Sequence, residues 1–132
     1  MINKIVKKVK KPIAFIKPIS FEKDENSYIL SFNTDSSLTL YSSNLEIVHN
    51  HKGSGGICCF NKIISITENI INLITLYKRD NEIIVRNYNI NKSSSTTIHL
   101  KKEVTFNLPE NTETIAYEYN EKSNSVLILC KK

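Results

Sequence analysis

Arginine is nearly missing from this chain: two residues of 132, against sixteen lysines. Arginine grips phosphate and guanine with a two-pronged donor set, so its scarcity removes the usual chemistry of sequence-specific nucleic-acid reading. Cysteine is scarce as well. Cys58, Cys59 and Cys130 are an odd number with two adjacent, which excludes a disulfide framework. Every glycine lies within residues 53–56, and the phosphate-cradling GxGxxG and GxxxxGK[ST] loops and the GxSxG nucleophile elbow are all absent. No run approaches the roughly 18 apolar residues of a membrane-spanning helix, and no apolar run follows the first lysines as in a secretory leader. An intracellular location, cytoplasmic or nuclear, is the expectation.

What remains is enough for one core. Apolar residues make up 40% of the chain and charged residues 23%, which suits one folded domain and excludes wholesale disorder. The net charge of +5 is unevenly placed. Residues 1–17 hold six lysines and no acidic residue, leaving the rest of the chain at −1. Residues 1–18 therefore read as a basic N-terminal arm and residues 19–132 as a β-rich domain. Lys4, Lys7, Lys8, Lys10, Lys11 and Lys17 are the candidate contacts for a polyanion, either nucleic acid or an acidic membrane surface. The competing reading of the arm is a first strand or a solvated terminus whose lysines keep an edge soluble.

Beyond the arm, short apolar runs alternate with polar turns. Strands are expected near 19–22, 28–32, 37–41, 45–49, 57–60, 62–67, 72–77, 83–89, 97–101, 114–119 and 125–130. Asn, Asp, Ser and Lys clusters at 23–26, 33–36, 42–44, 79–81 and 121–124 supply the turns. Residues 63–77 also fit a helix, because Ile63, Ile66, Ile70, Leu73, Ile74 and Tyr77 recur at helical spacing. Six isoleucines among those fifteen residues, stiff at χ1, favour two strands with a turn at Glu68-Asn69.

Two stretches share one plan. Asp35 and Asp80, 45 residues apart, each open a turn, and an alternating strand follows that ends at Tyr41 or Tyr88. An apolar strand precedes each stretch, and a polar turn with another strand follows. At these residues the chain resembles the WD-repeat family of β-propellers in degenerate form, with Tyr41-Ser42 and Tyr88-Asn89 where that family has Trp-Asp. The family's Gly-His pair is missing. The resemblance covers two units over about 19–101, with 114–130 as the first two strands of a third. It implies an all-β, incomplete propeller of about two and a half antiparallel blades. The alternative is a two-layer β domain, or an α+β one with a helix at 63–77.

No catalytic constellation emerges. His49 and His51 share a face of one strand, but adjacent Cys58 and Cys59 point to opposite faces, so four zinc ligands do not converge. Residues 53–56 read as an inter-blade or hairpin loop that needs positive φ. No metal, cofactor or enzymatic activity is expected. The resemblance implies a protein–protein interaction or scaffold module in a larger assembly, with self-association allowed. A basic-armed nucleic-acid or membrane binder is the second reading.

Overall fold

Alternation of apolar and polar side chains produces ten antiparallel strands, and the computed structural model, which describes Ile2 and residues 4–132, is all-β. The first sheet is a meander of β1 (Ile13–Ile19), β2 (Tyr28–Asn33), β3 (Leu38–Ser42) and β4 (Ile47–His51). The second repeats the plan with β5 (Ile57–Ile66), β6 (Ile70–Arg79), β7 (Glu82–Lys92) and β8 (Thr96–Asn107). A hairpin follows, β9 (Glu113–Asn120) with β10 (Ser125–Lys131). None of the three sheets closes on itself.

The second sheet lies in the middle. Leu30, Phe32, Leu38 and Leu40 of the first sheet pack against Ile71, Leu73, Tyr77, Ile84, Tyr88 and Ile90 of the second. On its other face Ile74, Leu76, Ile83 and Val85 meet Tyr117, Tyr119, Val126 and Ile128 of the hairpin. The near-continuous apolar runs of β6 and β7 follow from this two-sided burial. His49 and His51 pair with Leu40 and Leu38 in the register of β3 and β4, so they too turn toward the second sheet.

Two strand boundaries are corrected, while the two strands favoured over a helix within 63–77 are present: β5 and β6 pair across a turn in which the Thr67 amide donates to the Ile70 carbonyl at 2.8 Å. The same letters satisfy two faces of a sheet buried on both sides. The expected strands 57–60 and 62–67 form one strand with two bulges. Finally, the strand expected at 19–22 ends at Ile19 and starts instead at Ile13. β1 is an edge strand, and an edge tolerates the missing N–H of Pro18. Phe21 beyond it is a buried plug, edge-on to Tyr28 with centroids 5.8 Å apart.

Asp35 and Asp80 occupy the same place in the two meanders, the turn between second and third strands. Tyr41 and Tyr88 correspond as well. Tyr88 faces the first sheet, where its ring meets that of His51 at 5.4 Å. Tyr41 faces away from the second sheet and lies under the ammonium of Lys7 at 5.4 Å. The arm thus covers the first sheet on the side where the first sheet covers the second.

Candidate functional site

Three places hold polar or unpartnered groups. The outer face of the first sheet carries Ser31, Asn33, Ser37 and Thr39, all buried. They alternate with the apolar residues that face the core, so the strand period puts them together. The Asn33 amide donates to the Ser37 and Thr39 hydroxyls, both at 3.0 Å. Thr39 donates to Asn50 Oδ1 at 2.9 Å. Asp35 ends the chain of bonds, accepting from the Ser37 amide at 3.0 Å and its hydroxyl at 2.5 Å. These donors, with Lys11 beside it at 3.2 Å, hold the Asp35 carboxyl down at about 2.

Over this floor runs the basic arm. Lys7 Nζ donates to the Leu45 carbonyl at 2.6 Å, and the Thr34 amide donates to the Pro12 carbonyl at 3.0 Å. Arm and floor border a half-open cavity of about 780 Å³ lined by Lys7, Lys8, Lys10, Lys11 and, from beyond β4, Lys52. Four of the six candidate polyanion lysines therefore gather at one cavity. Lys4 does not line it, and Lys17 is spent on Asn61 Oδ1 at 2.9 Å. Lys52 and the floor escaped sequence reasoning. The signal for the floor lay in Ser31 and Asn33, which alternate with Leu30 and Phe32.

Between the two large sheets sits Arg86, fully buried at 0% exposure. Its Nε donates to Glu103 at 2.6 Å, and its guanidinium stacks 4.5 Å from the centre of the Tyr77 ring. Arg86 Nη1, the Tyr77 hydroxyl and His51 Nδ1 find no protein partner in this interior. Burial, above all, lowers the affinity of His51 for a proton. His49 is lowered by burial and by nearby His99; its Nδ1 accepts from the Ile98 amide at 3.0 Å, tying β4 to β8. Sequence reasoning missed Arg86, although its place between Ile84 and Tyr88 at inward-facing spacing was the available cue.

Burial holds Cys58 and Cys59 as thiols. Cys58 is buried and its thiol is pushed up to about 12, mainly by desolvation. Cys59 is raised for the same leading reason, and its thiol lies 3.4 Å from the Leu76 carbonyl. Among the described residues, no group of three or more His, Cys, Asp or Glu side chains converges as a metal-binding set. No helix among them is long and apolar enough to cross a membrane. Residues 53–56 link the first sheet to the second, with Gly55 at φ 107° and Gly56 at φ 88°.

The third place is apolar. A two-stranded hairpin lies against a four-stranded face, with β9 over β5. Val104 and Phe106 of β8 stay 37% and 47% exposed, while Leu127 and Leu129 on the hairpin are 50% and 63% exposed. Comparison with protein-family models, with curated proteins and with solved structures finds no match.

Proposed function

We propose that the chain is a non-enzymatic interaction module, a scaffold piece built from propeller-type sheets that functions inside a larger assembly. One observation carries this reading: the third sheet has half the strands of the face it covers, leaving Val104 and Phe106 bare. Among the described residues, neither strand of the hairpin has an outer neighbour. An antiparallel strand added beside the hairpin would supply backbone partners to a free edge and apolar cover to β8. The repeated meander and the matching places of Asp35 with Asp80 and Tyr41 with Tyr88 support propeller-type units. Closing a ring takes about four blades or more, so such units are completed by another chain or another copy.

Light scattering across a concentration series, with and without candidate partners, tests the proposal. The expected result is self-association or a stoichiometric complex that Val104→Glu with Phe106→Glu abolishes while the circular dichroism stays unchanged. A cooperative monomer at every concentration, indifferent to that double variant, would sink it.

A further inference from the structure

The cavity under the arm lies on the outer face of the first sheet, at the opposite end of the stack from the open hairpin. Its lining carries five lysines and a single carboxylate, Asp35. Lys11 answers that carboxylate, and Lys7 is anchored on a backbone carbonyl. Among the described residues no acidic group stands within ion-pair distance of Lys8, Lys10 or Lys52. Asn50, exposed at the edge of the floor, spends its carbonyl oxygen on Thr39, and among the described residues its NH2 group has no protein acceptor. The two anchored lysines hold the arm over the cavity, and the unanswered donors lie around it. Such a wall repels cations and stores like-charge repulsion that a multivalent anion relieves.

We propose that this cavity binds a small polyphosphorylated molecule, with Lys8, Lys10 and Lys52 as its phosphate contacts and Asn50 as a neutral donor. A volume of about 780 Å³ falls in the range of small-ligand pockets, roughly 300–1,000 Å³, and favours a compact occupant over a polymer running along the surface. Lysine serves phosphate as a point charge, whereas base reading calls for arginine and side-chain amides presented to a groove. Tyr41 and Ile47 add an apolar wall on which the non-phosphate part of the molecule rests. Lys52 and Asn50 join the arm lysines at this cavity only when the arm is docked on the first sheet. Binding therefore couples to arm order.

Calorimetric titration of the full chain with inorganic tripolyphosphate tests this. Binding is expected to saturate at one anion per chain and to raise the unfolding temperature. Lys8→Ala, Lys10→Ala and Lys52→Ala are each expected to weaken it about tenfold, the loss of one charge-assisted hydrogen bond. Lys122→Ala with Lys132→Ala, which removes charge elsewhere, is expected to leave affinity unchanged. Absence of binding overturns the proposal, as does an equal loss in the distant double variant. A single-stranded oligonucleotide that binds more tightly than tripolyphosphate, with its affinity spread evenly over all arm lysines, also overturns it and assigns the arm to nucleic acid.

Discussion

Arg86 sits where an alternating strand turns inward, so its charge is buried between sheets and balanced by Glu103 at the margin. Its aliphatic stem and guanidinium plane fill space against Tyr77, while Nη1 has no protein partner. Volume then outweighs charge in its contribution to stability. Urea unfolding of Arg86→Ala is expected to show a loss of about 2–4 kcal/mol, because a cavity opens between the sheets. Arg86→Met, which keeps the stem and removes the unpaired donor, is expected to fall within about 1 kcal/mol of the parent. His49 and His51 supply the pH dependence. Both have folded-state values below the ordinary 6.5, chiefly through burial, so as pH falls the unfolded chain takes up protons first. Their contribution is complete above pH 6.5 and is lost as pH falls from there through the lowered folded values. Protonation also ends the acceptance of the Ile98 amide by His49. His49→Asn, an acceptor that does not titrate, is expected to make this decline shallower in urea titrations compared at neutral and mildly acidic pH.

At the scale of elements, the link between sheets is the tightest fit. A Cβ on Gly53 would stand 2.5 Å from the Asp35 carbonyl oxygen and collide with the Ser36 hydroxyl. That hydroxyl also accepts from the Gly55 amide at 2.8 Å, so turn and linker hold one another. Gly53→Ala is expected to lower stability by about 1–3 kcal/mol in thermal unfolding, through displacement of the β2–β3 turn. The glycine cluster was readable as a loop from its letters, but its partner turn, some twenty residues earlier, was not. Strands rich in β-branched residues and bounded by Asn, Asp and Ser were equally plain. Isoleucine at 63, 66 and 70 mimicked a helix because Ile66 and Ile70 flank the β5–β6 turn, exposed, while Leu73 and Ile74 lie on opposite covered faces, which erases the period-two signal. Edge strand β1 hid behind lysines and Pro18, which an edge accepts and a central strand does not. The cavity was half legible: its roof lysines fall within residues 7–11, whereas Lys52 and Asn50 join them only through the register of β3 with β4.

For the molecule as a whole, sheet order along the stack decides what is exposed. The first sheet has the arm on its outer side, whereas no described residue covers the outer side of the hairpin. Leu127→Glu with Leu129→Glu is therefore expected to raise solubility and leave the unfolding midpoint within about 0.5 kcal/mol of the parent, since both side chains are already half exposed or more. Val104 and Phe106 differ, because they lie beside the small gap of about 220 Å³ between β8 and the hairpin. A partner strand seated there is expected to protect them from chemical footprinting.

Because the middle sheet is clad on both sides, the chain should come apart in layers from its ends. Amide deuterium uptake is expected to be fastest along the hairpin, intermediate in the first sheet and slowest in β6 and β7. Limited proteolysis near Pro109 would then shed the last two strands and leave an eight-stranded remnant still cooperative on heating.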